Sequence, residues 1–238
     1  TNPVFAPLNT NLRCYVEYSN EMWNPGFSQG SWAYHTSVTA GVTWAAYVAR
    51  QNCNVWKIFD GVWGENTNRI VHVGAGRSSD ATYCRQFFDE AISNGYKPDF
   101  VSIAPYFGND IQLWVYAQGA AFFKVTNDVN INRTLDELNR RILASQTGTS
   151  SMNDDTGGGI AQSIRGMALD YNVPIVNYEG GPSIYTDAFD TPSNQPTGAW
   201  LTAFMHALNR HPRFAETYRI NLNLCKMRGM QTHAVYLD

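Results

Sequence analysis

Two glutamates, Glu21 and Glu179, each end a short run of strand-forming residues just before a loop that contains Gly and Pro. Cleavage of a glycosidic bond needs a proton for the departing oxygen and a nucleophile or an activated water at the anomeric carbon, and two carboxyl groups can supply both. A carboxylate at the end of an apolar strand is costly unless it is hydrogen-bonded or solvated. The two glutamates are therefore the candidate catalytic pair. Each residue alone also has a structural alternative, as a helix cap or a loop ion pair.

Other polar and aromatic residues near the strand ends are candidates for sugar binding. Asn20 carries an amide that both donates and accepts hydrogen bonds, which suits a sugar hydroxyl. Arg77 with Asp80 could also bind sugar hydroxyls, although a solvated ion pair is the simpler interpretation. Trp23 and Trp114 lie in or next to the loops and could stack on a sugar ring, while most aromatic residues in proteins belong to the core.

The elements that must position these residues alternate between strand and helix. The strand-like runs are Arg13 to Tyr18, Arg69 to Gly74, Phe100 to Pro105, Pro174 to Tyr178 and His233 to Leu237. Helices are predicted over Ser37 to Phe59, Ala81 to Asn94, Leu135 to Ser145, Ile160 to Tyr171 and Ala199 to Arg228, the last broken near His211 and Pro212. Long loops are predicted over Phe107 to Val129 and Gly148 to Gly159.

This alternation predicts an α/β fold with parallel strands and right-handed crossovers, either a doubly wound sheet or a (β/α) barrel. Chemically capable side chains follow most of the strands, and a barrel builds its active site from such positions at the C-terminal face. The barrel is therefore the favoured fold. The length of 238 residues fits a single domain that spans 1–238.

Composition excludes several classes of partner. Charged residues make up only 16% of the chain, the net charge is −3 and Lys and Arg form no cluster, so nothing attracts nucleic acid or an anionic membrane. No apolar run approaches the roughly 20 residues of a membrane span. A neutral polar ligand such as a carbohydrate fits this composition better.

The four cysteines lack the paired spacings of a zinc site, so neither a metal nor another cofactor is expected. Cys53 and Cys84 lie on successive predicted helices and could form a disulfide, or remain buried free thiols. The chain opens at Thr1, which suggests processing or truncation, and one glycosylation sequon begins at Asn132. The expected location is secreted or extracellular.

Three segments resemble motifs of the retaining glycoside hydrolases of clan A. Tyr18 to Asn24 looks like their fourth-strand Asn-Glu motif, Ser102 to Gly108 is similar to their sixth strand, and Asn177 to Gly181 resembles their seventh-strand nucleophile motif. The three matches come in the expected order along the chain. The resemblance implies a TIM barrel of the (β/α)8 type and hydrolysis of β-glycosidic bonds in a poly- or oligosaccharide by double displacement.

The resemblance also implies a role for each matching residue. Glu21 would be the general acid and base, Glu179 the nucleophile, Asn20 the partner of the sugar 2-hydroxyl, and Tyr106 a hydrogen-bond partner that helps keep Glu179 ionised. Retention would require carboxyl groups roughly 5 Å apart.

The same resemblance predicts a partial barrel. If Asn20 and Glu21 mark the fourth strand, three βα units of together about 90 residues should precede them. The chain would then carry strands four to eight, and its open edges would be covered by the missing N-terminal half or by another chain. Two alternatives stay open: a non-catalytic structural or carbohydrate-binding extracellular protein on a similar barrel, and an unrelated α/β enzyme with structural glutamates.

Overall fold

The structure, a computed structural model, describes residues 8–78, 80–108, 111–119, 128–144, 162–184 and 199–231. Within these ranges it has four β-strands, namely β1 (Cys14–Val16), β2 (Ile70–Ala75), β3 (Phe100–Ile103) and β4 (Ile175–Asn177). The α-helices of the same ranges are α1 (Ser28–Thr39), α2 (Trp44–Trp63), α3 (Ala81–Ser93), α4 (Ile111–Ala117), α5 (Asp128–Ala144), α6 (Gln162–Asp170), α7 (Ala199–Arg210) and α8 (Phe214–Met227).

The four strands form one parallel sheet in the sequential order β1-β2-β3-β4. Cys14 pairs with Ile70, Val73 with Phe100, and Val101 with Ile175. After α8, Met230 forms an isolated parallel bridge with Ile175, and the N–H of Gln231 donates to the Ile175 carbonyl at 2.8 Å. The chain therefore returns to the free side of β4 where the next strand of the sheet would begin.

One hydrophobic cluster lies between the sheet and the helices α1, α2, α3 and α6. The strands contribute Val16, Val101 and Ile175, which alternate with residues that face the other side of the sheet. Trp56 of α2 is fully buried in this cluster, and its indole N–H donates to the Val16 carbonyl at 2.9 Å. This bond fixes α2 against the carboxyl end of β1, where the chain enters the candidate site.

A second hydrophobic cluster joins α4, α5, α7 and α8. Its members are buried side chains from all four helices together with residues that follow β3 and β4, among them Phe107, Ile111, Leu138, Ile184, Phe204 and Leu224. The predicted break near His211 and Pro212 is confirmed, because α7 ends at Arg210 and α8 begins at Phe214.

Two predictions about local structure are wrong. The helix predicted over Ser37 to Phe59 is two helices, α1 and α2, because Gly41 has φ +67° and Thr43 starts α2 by accepting a hydrogen bond from the Ala46 N–H. The loop predicted over Phe107 to Val129 contains α4 and the start of α5.

The first four predicted strands are confirmed, each to within two residues at either end. The fifth predicted strand, His233 to Leu237, and the predicted loop Gly148 to Gly159 lie outside the described residues. Cys53 and Cys84 are free thiols, so the disulfide alternative is wrong.

Candidate active site

Glu21 lies in a strained segment just after β1. Ser19 and Glu21 have φ angles of +60° and +47°, a left-handed conformation that residues with a Cβ adopt only at a cost. The Glu21 residue is 6% exposed. Both of its carboxyl oxygens accept hydrogen bonds, Oε1 from the Tyr178 hydroxyl at 3.0 Å and Oε2 from the Asn24 side-chain amide at 2.8 Å. The carboxyl group is thus oriented from two sides.

Hydrogen bonds from neighbouring elements hold this segment in place. The N–H of Tyr18 donates to Oδ1 of Asn52 on α2 at 2.9 Å. The N–H of Asn24 donates to the Glu21 carbonyl at 2.8 Å, and Oδ1 of Asn24 accepts from the Gly26 N–H at 2.9 Å. Asn24 therefore supports Glu21 through both its main chain and its side chain.

Glu179 lies two residues beyond the end of β4. The side-chain amide of Asn177 donates to the Glu179 carbonyl at 3.1 Å. The pairing of β3 with β4 resumes beyond this point, where the Phe107 N–H donates to the Gly181 carbonyl at 3.0 Å. This continued pairing brings Tyr106 beside Glu179, and the Tyr106 hydroxyl forms a hydrogen bond with the Glu179 carboxylate.

The carboxyl groups of Glu21 and Glu179 lie close enough to interact, and this interaction contributes to a raised pKa of Glu179. Two ionised carboxylates at such a separation repel, which favours the protonated form of Glu179. In a flat sheet β1 and β4 would lie roughly 14 Å apart, three strand spacings. The contact therefore needs the sheet to curve, or the segments after β1 and β4 to converge over its edge.

The pKa of Glu179 is raised. Burial is the largest cause, and the negative charge of Glu21 and the hydrogen bond with Glu21 act in the same direction. The hydrogen bond from Tyr106 favours the ionised form of Glu179, but burial outweighs it. In the absence of a ligand Glu179 thus retains its proton to a higher pH than an ordinary glutamate.

A third carboxyl group that the sequence-based assignment missed is close enough to interact with this pair. Glu17 is half-buried, and burial together with the negative charges of Glu21 and Glu179 raises its pKa to about 8. The available signal was its place at the end of an apolar strand run, four residues before Glu21. Tyr178 was also missed, although it directly precedes Glu179.

The two polar sugar-binding candidates are both exposed. The Asn20 side chain lies open to solvent next to the buried Glu21, and its carbonyl accepts a hydrogen bond from the Gln29 side chain at 3.1 Å. Arg77 is also exposed. Asp80 caps α3 by accepting from the Tyr83 N–H at 2.9 Å, which gives it a structural role.

The two aromatic candidates belong to different clusters. Trp23 is partly buried against the cluster between the sheet and its helices, and its indole N–H is buried without a hydrogen-bond partner among the described residues. Trp114 is partly buried against the cluster of α4, α5, α7 and α8. Both therefore contribute to packing, and they do not form a common platform.

A cavity of about 340 Å³ lies elsewhere, between α6, α8 and the residues that enter β4. Its lining includes Arg165, Pro174, Ile175 and Gln231. These residues lie at the amino end of β4, whereas Glu179 follows its carboxyl end, so the cavity is separate from the carboxyl pair. Among the described residues no group of three or more His, Cys, Asp or Glu side chains is placed to hold a metal ion.

Comparison with known proteins identifies no relative: no protein-family model, no curated protein and no solved structure matches the chain. None of the described helices is both long enough and apolar enough to cross a membrane.

Proposed function

We propose that this protein is a retaining glycoside hydrolase that cleaves β-glycosidic bonds in a poly- or oligosaccharide by double displacement. The observation that carries the proposal is the close approach of the carboxyl groups of Glu21 and Glu179, which are near enough to interact. Inverting enzymes keep their carboxyl groups roughly 6.5–9.5 Å apart to admit a water, whereas retaining enzymes bring them to about 5 Å. Contact between the two groups favours retention.

In the first step Glu179 attacks the anomeric carbon as a carboxylate and forms a glycosyl ester, while the bond to the leaving oxygen breaks and Glu21 gives that oxygen its proton. This step requires the proton on Glu21 and the negative charge on Glu179. The Tyr106 hydrogen bond stabilises that charge.

In the second step Glu21 removes a proton from a water molecule, the water oxygen attacks the anomeric carbon, and the ester bond to Glu179 breaks. Two inversions at the same carbon retain its configuration. The exposed side chain of Asn20, adjacent to Glu21, is available to the 2-hydroxyl of the sugar.

The proposed fold is the part of a (β/α)8 barrel that contains strands four to eight, with β1 as the fourth strand and Met230 at the start of the eighth. Two observations support it: the sequential parallel order of the strands, and the contact between carboxyl groups carried by the two outermost strands. Strands one to three would come from a preceding segment or another chain. The proposed location is extracellular.

One observation favours a second candidate, a non-catalytic carbohydrate-binding or structural protein. Within the protein the buried Glu21 already has a hydrogen-bond donor for each of its carboxyl oxygens, so this group is satisfied without a substrate. A scaffold that only binds glycans could retain the pair for that reason alone.

The test is hydrolysis of nitrophenyl β-glycosides of glucose, xylose, mannose and cellobiose, with the anomer of the first product followed by NMR. We expect Glu21→Gln and Glu179→Gln each to reduce the rate at least about 1,000-fold, and Glu65→Gln, at an exposed glutamate, to leave it unchanged. Full activity in either catalytic variant would contradict the proposal. Binding of polysaccharide without turnover would support the second candidate. If the protein neither binds nor cleaves carbohydrate, it is an unrelated α/β protein.

A further inference from the structure

We propose that Tyr178 is a positioning residue that holds the Glu21 carboxyl group in the orientation needed for proton donation, an inference that rests on the proposed glycosidase function. The Tyr178 hydroxyl donates to Oε1 at 3.0 Å, and Asn24 donates to Oε2 at 2.8 Å. A protonated carboxyl group keeps its own O–H and spare acceptor capacity. The two donors therefore hold both oxygens of Glu21 in a fixed orientation.

The hydrogen bond from Tyr178 to Glu21 has a second effect, which follows from the position of Tyr178 in the chain. Tyr178 directly precedes Glu179, and its N–H donates to the Ile103 carbonyl of β3 at 3.3 Å. The bond to Glu21 thus ties the proton donor to the main chain that carries the nucleophile. One tyrosine therefore links two carboxyl groups that follow the first and the last strand of the sheet, β1 and β4.

The surroundings keep Tyr178 a donor. The pKa of Tyr178 is raised, mainly by burial and then by the negative charge of Glu21 and the hydrogen bond with Glu21. The phenol therefore stays protonated at any pH used to assay a glycosidase. The left-handed main chain of Glu21 adds independent support, because such strain persists only where surrounding contacts impose it.

The experiment compares two substrates in the Tyr178→Phe variant, phenyl and 2,4-dinitrophenyl β-glycosides of the sugar that the unmodified protein cleaves fastest. Phenol is a poor leaving group that needs the proton, whereas dinitrophenolate departs without it. We expect kcat/KM to fall about 10- to 100-fold for the phenyl glycoside and less than about threefold for the dinitrophenyl glycoside, since general acid catalysis contributes about 100- to 10,000-fold in full.

Two further variants make the test specific. Tyr171→Phe removes a phenol that donates to Asp89, a carboxylate outside the site, and should preserve the ratio of the two kcat/KM values. Asn24→Asp keeps the acceptor for the Gly26 N–H but replaces the donor to Oε2 of Glu21 with a like charge, so it should change the ratio of the two kcat/KM values as well. If Tyr178→Phe does not fold, Tyr178→His, which removes the phenol but keeps a polar ring at this position, makes the same comparison of substrates.

The possible outcomes separate this inference from the function on which it rests. Equal losses on both substrates, or no loss on either, in a protein that hydrolyses them would overturn the role of Tyr178 and leave the glycosidase proposal standing. An unmodified protein that cleaves neither substrate would refute the glycosidase proposal and this inference with it. A loss confined to the phenyl glycoside supports both.

Discussion

Gly30, in the first turn of α1, lies directly against the main chain of Asn24, so closely that a Cβ at position 30 would overlap the Asn24 carbonyl oxygen. Asn24 in turn donates to Oε2 of Glu21. The absence of a side chain at one helical position therefore sets where the loop after β1 lies, and with it the orientation of the buried carboxyl group.

We expect Gly30→Ala to destabilise the protein by about 1–3 kcal/mol, because a rigid main-chain atom occupies the space that the new methyl group needs. Gly61→Ala is the matched control: Gly61 lies in α2 with no atom near its vacant Cβ position, and alanine there should stabilise by about 0.5–1 kcal/mol. Urea unfolding measures both. Equal free energies of unfolding for the two variants would show that Gly30 and Asn24 are not in tight contact.

Periodicity predicted the strands well because consecutive residues of the parallel sheet are buried on both of its faces, which gives compact apolar runs such as the one around Val101. It failed between α1 and α2, where Val42 continues the apolar pattern through a turn. The turn depends on the φ angle of Gly41 and the cap at Thr43, which a periodic pattern does not register.

We expect Ser19→Gly to stabilise the protein by about 0.5–1 kcal/mol. Glycine relieves the cost of φ +60°, and its greater freedom in the unfolded chain offsets part of that gain. Ser31→Gly, inside α1, should destabilise by about 0.5–1 kcal/mol, since no strain is relieved there. Thermal unfolding distinguishes them, and a destabilised Ser19→Gly variant would mean that position 19 is not strained.

The candidate site was predictable only in part. Glu21 and Glu179 end strand-like runs, and it is the resemblance of their segments and of Ser102 to Gly108 to one family that groups Tyr106 with them. Tyr178 could not be assigned, because its hydroxyl reaches Glu21 across the sheet and nothing in its own segment signals that contact. Trp23 and Trp114 are candidates for stacking because they are aromatic and lie in or next to loops, and aromatic side chains suit the packing they have equally well.

All four cysteines should behave as free thiols, with no disulfide between them. Burial raises the pKa of Cys53 and Cys225 to about 11 and that of Cys84 to about 12, whereas Cys14 is only half-buried. We expect reducing agent to leave the melting temperature unchanged, and a thiol reagent at pH 8 to label Cys14 first. Four equivalents should react after denaturation without reductant, and only two would indicate a bridge between Cys53 and Cys84.

The raised pKa of Glu17 predicts how stability changes with pH. From about pH 4.5, the ordinary pKa of glutamate, to about pH 8, the pKa of Glu17 in the folded protein, the unfolded chain ionises this group while the folded protein keeps it protonated. The unfolded state then binds fewer protons, so the free energy of unfolding falls as the pH rises. Glu17→Gln cannot ionise, and we expect its stability relative to the unmodified protein to increase across this window and to level off above about pH 8.

Glu137 provides a control of opposite sign, because hydrogen bonds from Arg140 and Arg141 lower its pKa to about 2. Its contribution to stability is present above about pH 4.5 and is lost as the pH falls towards 2. Urea unfolding of Glu17→Gln and Glu137→Gln at intervals from pH 3 to pH 9 should thus show deviations from the unmodified protein in different pH ranges and in opposite directions. A Glu17→Gln curve that runs parallel to that of the unmodified protein from pH 4.5 to pH 8 would show that Glu17 is ionised in the folded state and does not share the buried surroundings of Glu21 and Glu179.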